Sequence, residues 1–219
     1  MEQEGVVKYQ LSFHRSGIKI APEDLERLNE ARARLIIEKL LGQDYLRYGG
    51  LGFGNISIRD PKLRSSFLIS GTQTGLLPHL HADAISCVTG FDIQHNQLVA
   101  HGKCEPSSEA MTHGVLYRSA ASVDAVVHVH SPDIWYHCDA LGLPSTRASI
   151  PYGTPTMAHA VEAIGYKAAL DDLPLVFAMK GHQDGIVAAG RDLPSCLDAL
   201  LNLKRQAQLI VQRPHVDFP

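Results

Sequence analysis

The chain is expected to fold as a three-layer α/β/α sandwich around a mixed, largely antiparallel central sheet. Helical patterns precede, separate and follow short strand patterns along the 219 residues, the element order of an α/β domain. Several strand candidates are joined by tight turns, so part of the sheet is built from hairpins. Neither a G-x-G-x-x-G nor a Walker loop occurs, so a nucleotide-binding version of the class has no local support.

Residues 1–21 carry no strong period. Pro22-Glu23-Asp24 then opens a long helix, in which Leu25, Leu28, Ala31, Leu35, Ile36, Leu40 and Leu41 recur at helical spacing. The pattern is expected to run to a stop near Gly49-Gly50. Gly52 to Asp60 reads as a glycine-rich turn feeding a short alternating strand, with Ser66 to Ser70 as its hairpin partner and Pro61 in the turn. Gly71 to Gly75 is a small polar loop, and Leu76 to Val88 is expected to be a loop and a short helix. Phe91 to Val99 suits a strand or hairpin turning at Asn96.

Pro106-Ser107-Ser108-Glu109 reads as a helix start with Glu109 in the first turn, and the β-branched run ending in His128-Val129-His130 reads as a buried strand. Asp133 to Leu141 is expected to be helical. Thr154 should cap a helix whose first residue is Pro155. Leu175 to Met179 and Gly185 to Ala189 are two buried strands around the turn that carries His182. Asp192 should cap a final amphipathic helix with Leu197, Leu200, Leu201, Leu203 and Leu209.

Hydrophobic residues at 45% and charged residues at 20% are globular values, and the length suits a single domain over 1–219. A net charge of −3 gives no pull toward nucleic acid or an anionic membrane. Cys87, Cys104, Cys138 and Cys196 form no C-x-x-C pair and are expected to be reduced and structural. The stretch from Met1 to Lys8 is acidic without the apolar core of a signal peptide, and no run reaches the roughly 18 apolar residues of a membrane span. A cytoplasmic protein is expected.

With 12 histidines in the chain, only spacing can select among them. Residues i and i+2 share a face of a strand but diverge by about 200° on a helix. His128 and His130 therefore suit metal ligation, or hydrogen-bonded burial in a core; His79 and His81, after Pro78 at a loop or helix start, suit the surface. A catalytic metal site generally needs a third protein ligand and an open position. His182, in a tight turn between apolar strands, is the best candidate. His101, and His113 paired with Glu109 one helical turn earlier, are weaker ones. Glu109 has two readings, a first-turn acid complementing the helix dipole or an acid/base beside a cation. Ser107 and Ser108 can be caps or part of an anion site that Gly54, Asn55, Thr74 and Gly75 would complete.

Taken in order, Gly54-Asn55-Ile56-Ser57, Thr74-Gly75, Pro106-Ser107-Ser108-Glu109, His128-Val129-His130 and the turn containing His182 resemble the class II aldolase/adducin family. Fuculose-phosphate aldolase and ribulose-phosphate 4-epimerase are among its members. The resemblance implies a divalent metal, Zn2+ or another such as Mn2+ or Co2+, on His128, His130 and His182, with Glu109 as the acid/base. It implies an anion pocket from Gly54, Asn55, Thr74, Gly75, Ser107 and Ser108. It also implies a homo-oligomer, a tetramer by preference. Tyr152 stands nearest to the place where the sugar-phosphate aldolases carry a catalytic tyrosine, and it is the candidate for that role.

Three neutral imidazoles leave a cation its full charge, which suits polarising a carbonyl while an adjacent C–C bond breaks. The expected activity is aldol-type cleavage of a small anionic, phosphorylated, sugar-like substrate, or epimerisation by the same route. A metal-dependent decarboxylase or dehydratase and a non-catalytic adducin-like binding module are the alternatives. The loops at 70–75, 144–151 and 181–185 depart from typical relatives and leave the substrate open, and Asp184 enters as an acid without an assigned role.

Overall fold

A computed structural model describes residues 6–167 and 173–212; the first five residues of the acidic N-terminal stretch lie outside them. In chain order the elements are β1 (Gln10–Arg15), α1 (Pro22–Ile37), β2 (Gly42–Gln43), β3 (Gly52–Phe53), β4 (Asn55–Arg59), β5 (Phe67–Ser70), β6 (Ile85–Asp92), β7 (Gln97–Gly102), α2 (Ala110–Ser119), β8 (Ala125–His130), α3 (Pro132–Tyr136), α4 (Pro155–Lys167), β9 (Leu175–Ala178), β10 (Gly185–Gly190) and α5 (Leu193–Val211). Eight strands form one sheet in the order β1-β7-β6-β5-β4-β8-β10-β9. Only β1 on β7 is parallel, so the sheet is mixed and largely antiparallel as expected.

Two apolar clusters, one on each face, make the three layers. One joins α1, α3 and α5 to Ile56, Val127, Val129 and Ile186. The other joins α2 and α4 to Phe67, Ile69, Val126 and Val187. Strands β8, β9 and β10 are buried on both faces, which is why they read as continuous apolar runs. Among the described residues no helix is long and apolar enough to cross a membrane.

Several boundaries differ from expectation. α1 stops at Ile37 instead of near Gly49, in a Schellman motif. Lys39 adopts a φ of 56°, its N–H donates to Ile36 O at 2.9 Å, and Leu40 N–H donates to Leu35 O at 2.9 Å. The usual glycine is absent, so the stop left no mark in the sequence. It matters to the site, because the released Leu40 carbonyl accepts from His130 N at 2.9 Å. β1 was hidden in residues 1–21 because it is an edge strand with only Leu11 and Phe13 packed inward. β6 begins at Ile85, after one 3₁₀ turn at Ala82–Ala84. The caps on α4 and α5 are as expected: Thr154 Oγ1 accepts from Met157 N at 3.2 Å and Asp192 Oδ1 from Ser195 N at 2.8 Å. Leu209, assigned to the apolar face of α5, is 62% exposed.

Candidate active site

The three histidines meet at one end of the sheet. His128 pairs with Asn55 on β4 and with Val187 on β10. Cross-strand partners share a face, and Val187 belongs to the α2/α4 cluster; His128, His130 and Asn55 therefore look toward that layer. His182 arrives on the β9–β10 turn. Its N–H donates to Met179 O at 2.9 Å and its carbonyl accepts from Gly185 N at 3.0 Å. Asp184 takes a φ of 62° there. A Cβ on Gly181 would fall 1.7 Å from Ile150 O, so only glycine fits the turn.

Ring centroids are 5.0 Å apart for His128–His130, 5.0 Å for His128–His182 and 4.9 Å for His130–His182, a nearly equilateral triangle. One ligand atom from each lies within 4.8 Å of the others, and all three residues are buried. His128 Nδ1 is 3.2 Å from Ile186 O. A carbonyl oxygen only accepts, so Nδ1 carries the proton and Nε2 keeps its lone pair. That Nε2 is buried and meets no donor among the described residues. An orphaned acceptor is costly in an ordinary core, and it suits a cation. Burial first, and then the neighbouring His182, hold His128 and His130 well below the usual histidine range. Both are therefore neutral at pH 7, the form that ligates metal.

Glu109 occupies the position just before α2, rather than the first turn, and its side chain makes no capping bond. Oε2 accepts from Thr112 Oγ1 at 2.8 Å, while Oε1 lies 3.4 Å from His182 Nδ1. The carboxylate is thus turned away from the helix end and toward the histidines, with its side chain only 2% exposed. Tyr152 stacks on His182 at 4.4 Å between centroids and 18° between planes. The Lys8 ammonium lies 3.7 Å from the Tyr152 ring centre and donates to Tyr152 O at 3.1 Å.

The opposite side is walled by residues that the sequence did not single out. Tyr48 sets its ring edge against His130 at 4.7 Å, and its hydroxyl donates to Asp184 Oδ2 at 2.6 Å. Arg47 donates to Tyr48 Oη at 2.7 Å and to His130 O at 3.3 Å, and covers Phe53 at 4.4 Å. Asp184 is thereby explained as the acceptor that orients Tyr48. Burial, reinforced by Asp184, pushes the Tyr48 phenol well above its ordinary range, so it stays protonated. Nothing periodic marks Arg47 and Tyr48; they sit in an irregular loop between β2 and β3.

Gly54, Asn55, Thr74, Gly75, Ser107 and Ser108 all line one cavity, tied to the triad through Asn55, the strand partner of His128. The 70s loop and the segment before α2 are joined by an antiparallel bridge between Gly71 and Pro106. Thr72 N donates to Glu105 O at 2.9 Å and Ser107 N to Ser70 O at 3.3 Å. Gly54 has a φ of 73°, and a Cβ there would lie 3.0 Å from His128 O; one on Gly75 would lie 2.5 Å from Gly42 O. Asn55 Oδ1 is buried without a partner among the described residues.

The weaker histidine candidates fall elsewhere. His113 Nδ1 is 2.7 Å from Ser57 Oγ, which is 2.7 Å from the Tyr117 hydroxyl. Burial pushes His113 down to about 3, and it is not part of the three-histidine group. His79 and His81 are exposed, and His101 lies in β7.

Residues 44–211 match the family described as the class II aldolase and adducin N-terminal domain. No curated protein matches the chain in sequence. Among solved structures, YgbL of Klebsiella pneumoniae, for which aldolase, epimerase and decarboxylase are named as alternatives, is 20% identical, with a TM-score of 0.65 over 91% of this chain and 94% of its own. A sugar-phosphate aldolase from Thermotoga maritima is 17% identical, with a TM-score of 0.60 over 88% and 97%. L-fuculose-1-phosphate aldolase from Thermus thermophilus is 16% identical, with a TM-score of 0.59 over 85% and 92%. At these identities the likeness is one of fold.

Proposed function

This chain belongs to the class II aldolase and adducin family, and on that footing we propose that it is a divalent-metal-dependent lyase cleaving, or epimerising through cleavage, a C–C bond in a small phosphorylated, sugar-like substrate. One observation carries the reading: a buried carboxylate, Glu109, stands 3.4 Å from one member of a buried three-histidine cluster, and a cavity of small residues and hydroxyls is lined by Ser108, which precedes Glu109, and by Asn55, the strand partner of His128.

His128, His130 and His182 would hold the metal, Zn2+ or another divalent ion such as Mn2+ or Co2+. Bound there, it would act as a Lewis acid toward a substrate carbonyl. Glu109 takes the proton on one oxygen and returns it, while Thr112 holds the other oxygen in place. Gly54, Asn55, Thr74, Gly75, Ser107 and Ser108 bind the anionic end through backbone N–H groups and short side chains. Tyr152 is the candidate acid for the departing fragment, from its place against His182. Tyr48 and Arg47 close the far side and exclude water from His130. A homotetramer is the proposed assembly, checked by light scattering.

The test is metal analysis of protein purified without chelator, followed by product analysis across a panel of phosphorylated aldols. Bound metal and release of an aldehyde are expected. A chain that neither carries nor takes up zinc would sink the mechanism. Loss of CO2 or water instead of an aldehyde would move the reaction to a decarboxylase or dehydratase, and no turnover with reproducible capture of a protein partner would move it to a binding module.

A further inference from the structure

We propose that Arg32 is a positioning residue of the anion pocket: its buried guanidinium turns the 74–77 loop so that the loop's N–H groups face the cavity, and it supplies the positive charge that a bound phosphate neutralises. The inference rests on the reading of that cavity as an anion site. Arg32 stands on the buried stripe of α1 between Leu28 and Leu35 and is 1% exposed. Nη2 donates to Thr74 O at 2.5 Å, Leu77 O at 2.9 Å and Gly75 O at 3.2 Å, and Nε donates to Leu77 O at 3.2 Å.

Two features lift this above an ordinary structural contact. The first is charge. Among the described residues no carboxylate forms an ion pair with Arg32, and burial is the one influence on its charge. Burial pushes Arg32 down to about 10, which leaves it protonated at neutral pH. Buried cations are ordinarily paired, and the acceptors of Arg32 are all neutral carbonyls. The second is direction. In a trans peptide the C=O of one residue and the N–H of the next point opposite ways. Drawing Thr74 O and Gly75 O toward Arg32 therefore turns the N–H groups of Gly75 and Leu76 away from it. Gly75 lines the cavity, and its N–H makes no hydrogen bond among the described residues. A Cβ on Gly52 would come within 3.3 Å of that nitrogen, so glycine at 52 keeps it open. One guanidinium thus presents the donors and adds a charge of the right sign behind them.

The test is calorimetric titration with inorganic phosphate, alongside zinc content and thermal melting, for the native chain, Arg32→Met, Arg32→Lys and Leu35→Ala. Leu35 shares the buried face of α1 and makes no hydrogen bond to the loop among the described residues, so Leu35→Ala controls for lost stability. Phosphate binding is expected to weaken about tenfold or more in Arg32→Met. Arg32→Lys, which keeps the charge but not the fork, should fall between it and the native chain. Zinc content should hold throughout, and Leu35→Ala should bind phosphate as the native chain does. Unchanged binding in Arg32→Met, or equal weakening in Leu35→Ala, overturns the inference while the pocket reading stands. Should Arg32→Met fail to fold, native-like phosphate affinity in Arg32→Lys overturns it. A native chain that binds no phosphate overturns the pocket reading and this inference together.

Discussion

Replacing His128 with alanine separates a metal ligand from a histidine that merely fills a core. His128 is 1% exposed, gives one hydrogen bond to Ile186 O and leaves Nε2 without a donor. In chelated protein the substitution removes one hydrogen bond, worth about 1 kcal/mol, and leaves a cavity, but it also removes an orphaned acceptor whose burial costs about 1–3 kcal/mol. These effects oppose one another, so metal-free stability should fall by about 1–2 kcal/mol at most. Zinc at a hundredfold excess over its Kd stabilises the native chain by about 2.7 kcal/mol. For a chain of this length that is a rise in Tm of roughly 5–11 °C. Scanning fluorimetry of both proteins, chelated and zinc-loaded, should show that rise in the native chain and lose most of it in His128→Ala. Equal zinc-induced shifts in the two proteins would refute the assignment of His128 as a ligand.

Three further outcomes are expected. Glu109→Gln should retain zinc and its fold while turnover drops by about 10²–10⁴, measured as kcat on whichever substrate the panel identifies; undiminished kcat would remove Glu109 from acid/base work. Gly181→Ala places a Cβ where Ile150 O already lies, and should cost about 1–3 kcal/mol by urea unfolding and weaken zinc binding by displacing His182; a native-like midpoint would argue against the tight turn. The pH profile of metal-free protein should reflect His113, whose folded value of about 3 lies below the unfolded value near 6.5. The unfolded chain takes up a proton below about pH 6.5 that the folded chain refuses. Stability is therefore level above that pH and falls as pH drops toward 3, His113 contributing about 1.4 kcal/mol per unit beside the contributions of the same sign from His128 and His130, and urea melts at pH 5 and 7 should show His113→Gln with a shallower slope.

Much of the site was legible because its parts are local patterns. Two histidines on a strand declare a shared face through their spacing alone, and Pro106-Ser107-Ser108-Glu109 announces a chain turn with a carboxylate beside it. Small residues at 54, 55, 74 and 75 mark places where backbone must come close, and the structure gathers all of them around one cavity. Arg32 also left a trace, as a charged residue on an apolar helical stripe, although its role becomes visible only once the loop at 74–77 lies against it. Lys39 left none, since a left-handed lysine ends α1 where a glycine would have been expected.

Helical and alternating periods, read along the chain, are enough for the order of elements, the layered class and the identity of the ligand-type residues, because each depends on neighbours within a few positions. The rest depends on distance through space. Which third histidine joins His128 and His130 is a matter of β9 and β10 delivering a turn to the end of β8. That Asp184 orients Tyr48, and that His113 bonds Ser57 instead of joining the triad, follow from packing between segments more than fifty residues apart. Folding brings such groups together by burying apolar surface, which carries no local code for the polar atoms brought along with it.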